Sequence, residues 1–289
     1  MTLRDALLLG RVSNLPTVWT NLLAGAVLSG AVLDGETMFV AGVALTLFYV
    51  GGMYLNDAFD AAIDAVERPE RPIPNGRVSR TAVFAWGFGM LAAGIAVLAV
   101  LGHVTGRGWL AAAGGVALAG AIVLYNVWHK GNPLSPFIMG LCRMLVYVVA
   151  AWCFTTTLPA DVLLGAAIVL SYLIGLTYVA KQENLGAVAN MWPLLFLATP
   201  LLYALYAGLQ GALPALGIAV LLALWIGVAL RFVLRAGPGD IPRAVVSLIA
   251  GISLVDALLI ATAGELTWLA FGVVGFILTL ALQKLVPGT

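Results

Sequence analysis

Residues 38–64 read MFVAGVALTLFYVGGMYLNDAFDAAID, and the fold turns on this stretch. The apolar run 38–57 has the length of a bilayer crossing, about 20 largely apolar residues. It passes without a break into Asn56, Asp57, Asp60 and Asp64. If the run continues as one helix, Asp57, Asp60 and Asp64 fall at i, i+3 and i+7 and share a face. Asn56, Asp60 and Asp64 form the neighbouring i, i+4, i+8 row. The stretch thus predicts a membrane helix that delivers a carboxylate cluster to the membrane edge.

The rest of the chain fits that reading. Of its 289 residues 62% are hydrophobic and 9% charged, where soluble domains carry about 25% charged residues. The mean hydropathy is +1.06. Soluble enzymes, DNA-binding modules and disordered tails are excluded, and 14 basic against 13 acidic residues give no reason to expect a nucleic-acid partner. Runs near 15–33, 38–57, 82–101, 109–128, 135–155, 161–180, 192–209, 213–234, 244–263 and 266–285 are candidate spans. They lack the period-two alternation of a membrane β-barrel. The expected fold is all-α, a polytopic bundle of nine to ten transmembrane helices around a central cavity. Residues 2–13 are expected to form a short interfacial helix, and no cleavable signal peptide is expected. Cys142 and Cys153 lie eleven residues apart in one run, roughly 16 Å along a helix, too far for a disulfide.

With a cytoplasmic N-terminus, twelve basic residues from Arg4 to Lys284 fall inside and Arg107 alone outside, with Arg143 within a span. This predicts an integral membrane protein of the bacterial inner membrane, its functional end facing the cytoplasm. The segment Asp57 to Arg80 holds five acids, four arginines and three prolines. A second inner loop, 181–191, carries Lys181, Gln182, Glu183, Asn184 and Asn190. Function is expected where the two loops meet.

Three unpaired carboxylates at a membrane mouth would repel one another. A hard cation relieves this, and Mg²⁺ binds through one or two carboxylates, water and substrate phosphate oxygens. The competing reading is a solvated helix end whose acids pair with Arg68 and Arg71. Arginines clamp phosphate bidentately, and prolines 69, 72 and 74 stop the helix and stiffen the loop. Acids for a metal and bases for phosphate oxygens are what a diphosphate site requires.

Asn56-Asp57-x-x-Asp60-x-x-x-Asp64, followed by Arg71-Pro72-x-Pro74-x-Gly76-Arg77-x-Ser79, resembles the first signature of the UbiA superfamily of intramembrane prenyltransferases. Arg11 with Asn14 and Pro16 is similar to the family's N-terminal segment, and Tyr125-Asn126 with His129-Lys130 and Pro133 to its inner loop after span 4. The resemblance covers most of the chain. It implies a single domain over 1–289, Mg²⁺-dependent ionisation of an isoprenyl diphosphate, and transfer of the prenyl group to an aromatic or other small acceptor. It further implies metal binding by Asn56, Asp57, Asp60, Asp64 and Glu183. Diphosphate binding falls to Arg11, Asn14, Arg71, Arg77, Lys130 and Lys181, with Asp60, Asp64 and Lys181 catalytic.

One slot departs from the pattern. Where the family's second Asp-rich signature is expected, this chain reads Tyr178-Val179-Ala180-Lys181-Gln182-Glu183-Asn184. That slot is more similar to the UbiA-like branch associated with ebo-type gene clusters. Lys181 then either replaces a second metal as a fixed cation, or the site binds without ionising. Tyr125, Tyr147, Tyr172 and Tyr178 are candidates to shield an allylic cation, ordinary packing being the alternative. Arg143 and Asp256 stand mid-span, where ionisable groups are costly. They either pair as a clasp or serve the cavity. His129 touches phosphate or is a surface histidine. Besides a prenyltransferase, two further readings stand: a non-catalytic UbiA-fold protein that binds or moves a lipid or small aromatic, and a secondary transporter, disfavoured because no broken midplane helices are visible.

Overall fold

The computed structural model describes residues 1–182 and 190–288. The helix that carries the acidic row starts at Asp34, whose carboxylate accepts from the Thr37 amide at 2.7 Å. That bond holds the Asp34 carboxyl below its ordinary range. The helix runs Gly35–Glu67, 33 residues or roughly 50 Å. This exceeds the ~30 Å hydrocarbon core, so its last turns project past the hydrocarbon. Pro69 lies just beyond its end, where proline disfavours further helix.

In chain order the helices are α1 (Leu3–Leu9), α2 (Pro16–Leu28), α3 (Gly35–Glu67), α4 (Arg80–Val104), α5 (Leu110–Trp128), α6 (Ser135–Phe154), α7 (Ala160–Lys181), α8 (Thr199–Leu209), α9 (Leu213–Arg235), α10 (Asp240–Thr262) and α11 (Leu266–Gln283). Short 3-10 segments precede α2 (Val12–Asn14) and α8 (Trp192–Ala198). Among the described residues nine helical segments are long and apolar enough to cross a membrane. The chain is therefore an integral, multi-pass membrane protein with the all-α bundle fold.

The predicted span 15–33 is not one of those nine. Pro16 opens α2 and the helix ends at Leu28, thirteen residues later, or roughly 20 Å. It is too short to cross alone. Eleven of its residues are buried, so it forms part of the core rather than the wall. Its companion is α10, buried over 18 of 23 residues, whereas α9 buries only 5 of 23 and turns Leu213, Val220 and Leu224 outward. A helix apolar all round belongs either inside or against lipid, and here both cases occur.

Glycines let the backbones approach, as in other membrane bundles. A Cβ on Gly25 of α2 would lie 2.8 Å from the Tyr147 carbonyl oxygen of α6, and one on Gly272 of α11 2.9 Å from the Ala257 Cα of α10. The α3–α4 and α5–α6 connections and the end of α7 gather at one end of the bundle, where their side chains line a common cavity. Arg107, by contrast, bonds the Cys153 carbonyl at the far end of α6 (2.8 Å).

Candidate active site

Asn56, Asp57, Asp60 and Asp64 all turn inward, with exposures of 9%, 5%, 7% and 3%. They divide into two sets. Asp57 pairs with Arg11 at 2.9 Å and with Arg71 at 3.2 Å, and Asp64 pairs with Arg71 at 2.9 Å. Turns at 71–77, with Gly76 at φ +73°, fold the proline-rich loop back so that Arg71 reaches α3. Asp60 faces elsewhere, 3.3 Å from His129 Nε2 and 3.8 Å from Lys130 Nζ. Asn56 accepts from Arg11 at 3.3 Å and donates to Asn126 Oδ1 at 3.2 Å; Asn126 in turn donates to the Gly52 carbonyl.

Arg11 holds the mouth. Its backbone is left-handed, φ 41°, a conformation that non-glycine residues adopt at a cost of order 1–3 kcal/mol where surrounding structure dictates it. The Tyr49 hydroxyl donates to its carbonyl at 3.1 Å. Burial works against the guanidinium charge, but Asp57, Tyr49, Tyr125 and Asp64 together more than offset it, and the pKa lies above its ordinary value.

The cavity beneath these residues has a volume of about 370 Å³. Arg11, Asn14, Asn56, Asp60, Arg71, Lys130 and Lys181 line it, so residues from both inner loops and the N-terminal segment meet there. Lys181 donates to the Asn132 carbonyl at 2.6 Å, and Asn14 is held by Gln283 at 3.0 Å and by the Gly288 carbonyl at 2.8 Å. Tyr125 lines the cavity and stacks on His129, ring centroids 4.9 Å apart.

Several expected site residues lie elsewhere. Arg77 is not at the cavity: it pairs with Asp5 at 3.0 Å and bonds the Glu70 carbonyl at 2.9 Å. The Thr2 hydrogen bonds, ahead of the Arg77 charge, hold that Asp5 carboxyl below its usual value. Tyr147 is buried and donates to Asp256, Tyr172 donates to the Leu248 carbonyl, and the Tyr178 hydroxyl accepts from the Asn190 amide. None of the three lines the cavity. Glu183 lies outside the described residues. Substituting Arg77 by alanine is therefore expected to change the affinity for inorganic pyrophosphate by less than about twofold, whereas loss of Arg71 should weaken it by more than about tenfold. Calorimetric titration of the two variants with pyrophosphate checks this.

Tyr49 lines the cavity and was not foreseen, and His129, read above as a phosphate contact or a surface histidine, is part-buried against Asp60. Tyr49 stands seven residues before Asn56, two turns deeper on the same face, and this spacing was the available signal. His129 is 12% exposed and held by Asp60; its ring being stacked on Tyr125 four residues earlier is the helical i, i+4 relation.

Arg143 and Asp256 are joined, but not directly. Arg143 donates to Asn21 Oδ1 at 2.6 Å and to Thr17 Oγ1 at 3.1 Å, and the Asn21 amide donates to both Asp256 oxygens at 2.8 Å. Thr20 (2.5 Å) and Tyr147 complete the carboxylate's shell. Arg143 also lines the cavity. The expected direct pair is not formed: Asn21 bridges the two charges in a network across α2, α6 and α10, and of the two Arg143 alone lines the cavity.

Apolar space adjoins the polar cavity. A cleft of about 80 Å³ lined by Phe48, Leu118 and Val146 shares Tyr49, Met53 and Tyr125 with it. A larger apolar groove, about 520 Å³, lies between α2 and α11 over Trp19, Leu23, Trp268 and Phe271.

The donor chemistry decides whether a metal fits. No group of three or more His, Cys, Asp or Glu side chains converges among the described residues. Asn56, Asp60 and Glu67 line the cavity, with Asn56 Oδ1 also accepting from Arg11 and one Asp60 oxygen facing His129, while Asp57 and Asp64 are engaged by arginines. Two protein oxygens suit a hard cation that takes the rest of its shell from water and phosphate. Asn56 and Asp60 fit such a Mg²⁺, and among the described residues no three-carboxylate cage is formed.

Fold and site together define a class: a multi-pass membrane bundle whose polar end pairs acids with bases beside an apolar recess. The UbiA prenyltransferase family model matches residues 17–249, and the chain belongs to that family. Among curated relatives, a digeranylgeranylglyceryl phosphate synthase from Methanopyrus kandleri is 34% identical over 139 residues, 47% of this chain and 48% of the relative. Another, from Methanoregula boonei, is 42% identical over 76 residues, 26% of each chain. The aligned parts thus span from a quarter to about half of these relatives. A solved structure concerned with digeranylgeranylglyceryl phosphate synthase covers 90% of this chain and 98% of its own, with a TM-score of 0.63 and 19% identity. An apo UbiA homolog from Aeropyrum pernix K1 covers 95% and 97%, with a TM-score of 0.51 and 18% identity. Both likenesses concern the fold.

Proposed function

We propose that this protein transfers a prenyl group from an isoprenyl diphosphate to a small acceptor within the membrane. The observation that carries the reading is the convergence of Asn56 and Asp60 with Arg11, Arg71, Lys130 and Lys181 on one cavity that adjoins apolar space. Asn56 and Asp60 would hold Mg²⁺, which when bound would supply charge stabilisation to a diphosphate leaving group. The four basic side chains take the diphosphate oxygens. The C1–O bond breaks, and the electron pair leaves with the diphosphate into this preorganised positive field. Tyr125 and Tyr49 line the cavity, where their aromatic rings would attract an allylic cation. The acceptor's nucleophile bonds C1 and sheds its proton. The apolar cleft and the groove over Trp19 and Trp268 accommodate the prenyl chain and membrane lipid.

Family membership and the relatives' name support prenyl transfer, and that name favours a glyceryl phosphate lipid beside the aromatic acceptors considered above. The twelve-to-one distribution of basic residues supports a cytoplasmic active site. A second reading, binding without cleavage, draws on the ion-paired state of Asp57 and Asp64 and on Lys181 in the altered slot.

Purified protein in detergent should release pyrophosphate from isoprenyl diphosphates of ten to twenty carbons when Mg²⁺ and an acceptor are supplied. Chelation with EDTA should return release to background. Binding of the diphosphates with no release at any chain length would favour the second reading.

A further inference from the structure

Arg143 stands between the polar cavity and the smaller apolar cleft and lines both. Its two bonds go to neutral oxygens, Asn21 Oδ1 and Thr17 Oγ1, and its guanidinium lies 5.9 Å from the Tyr49 ring centre. Among the described residues no carboxylate comes within ion-pair distance; Asp256 instead receives the other end of the Asn21 amide. A guanidinium carries five N–H donors in a rigid fork. An intramembrane charge with only neutral oxygens around it is costly and marks a ligand or partner site. The fork matches a carboxylate or phosphate bidentately.

We propose that Arg143 recognises an anionic group on the acceptor, a carboxylate or a phosphate, while Arg11, Arg71, Lys130 and Lys181 serve the diphosphate. The term acceptor rests on the prenyl-transfer reading; the anion site itself does not. Position separates the two roles. Tyr49 lies two turns deeper on α3 than Asn56, and around it begin the apolar walls of Phe48, Leu118 and Val146. A bare cation there would oppose positive charge developing at C1; a bound anion cancels that opposition. Asn21 and Thr17 act as positioning residues, with Asp256 fixing Asn21 from behind.

The test is binding, without prenyl diphosphate or Mg²⁺, so it is independent of catalysis. Wild-type protein is titrated with two matched pairs: 4-hydroxybenzoate against 4-hydroxybenzyl alcohol, and geranylgeranylglyceryl phosphate against geranylgeranylglycerol. In at least one pair the anion should bind at least about tenfold more tightly, as a charge-assisted fork implies, and the pair that does so identifies the carboxylate or the phosphate. Arg143→Gln keeps an amide donor for Asn21; it should erase that preference while leaving the neutral partner's affinity in place, and Arg143→Lys should keep part of it. Equal affinity for anion and neutral partner in both pairs on the wild type, or no binding of any of the four, overturns the proposal even if a variant does not fold. A loss in Arg143→Gln that is the same for anion and neutral partner also overturns it. Pyrophosphate release, measured separately, tests the prenyl-transfer reading alone.

Discussion

Replacing Asp60 by asparagine is expected to lower Mg²⁺-dependent pyrophosphate release by at least about a hundredfold, the scale of removing one preorganised electrostatic contact. Of the motif aspartates Asp57, Asp60 and Asp64, Asp60 is the one that lines the cavity, and its partners are His129 and a half-exposed Lys130. Asn56 beside it supplies a neutral oxygen. The substitution therefore removes the negative charge on which cation binding depends while preserving shape and most hydrogen bonding. Pairs with exposed lysines contribute about 0–1 kcal/mol, so the thermal midpoint should barely move. Asp64→Asn provides the contrast. It removes a partner from Arg71, whose other partner is Asp57, so its effect should appear in the KM for the diphosphate more than in the dependence on Mg²⁺. Pyrophosphate release measured across a Mg²⁺ titration separates the two. Undiminished release by a folded Asp60→Asn protein would remove the metal from the mechanism.

What could be read in advance follows from the range of the forces involved. Periodicity is a local property, so the apolar runs and the i, i+4, i+8 row of Asn56, Asp60 and Asp64 were legible before any tertiary structure. Positive charge counts placed Arg11, Arg71, Lys130 and Lys181 on one side, and they do line one cavity. Helix length was less legible. Residues 15–33 are apolar enough to span, yet α2 stops at Leu28 and is buried by its neighbours, because hydropathy does not distinguish lipid from a protein interior. The competing reading of the acids as arginine partners is also part of the result: Arg71 takes Asp57 and Asp64, leaving Asp60 to the cavity. Arg77 shares a motif with Arg71, but its partner Asp5 comes from α1, which no spacing within the loop reveals. Tyr147 illustrates the same limit, since a hydroxyl's partner on another helix is invisible in one dimension.

The largest stability effect is expected at Asp256. Its carboxylate is fully buried and accepts from Thr20 at 2.5 Å, from Asn21 at 2.8 Å and from Tyr147. Alanine would strand three donors from two other helices where no water replaces the acceptor. It would also remove the anion nearest Arg143, which is tied to it through Asn21. Breaking one side of a buried charged network costs about 3–5 kcal/mol, and in a chain of this size that corresponds to a fall of about 10 °C in the thermal midpoint. The loss should be smaller when both charges go, because Arg143→Met with Asp256→Leu leaves neither ion unpaired. Thermal unfolding in one detergent, for the two single variants and the double, gives the coupling directly. A double variant as unstable as the sum of the singles would mean that Asn21 transmits nothing between the charges, and that Arg143 is held by its neutral partners alone.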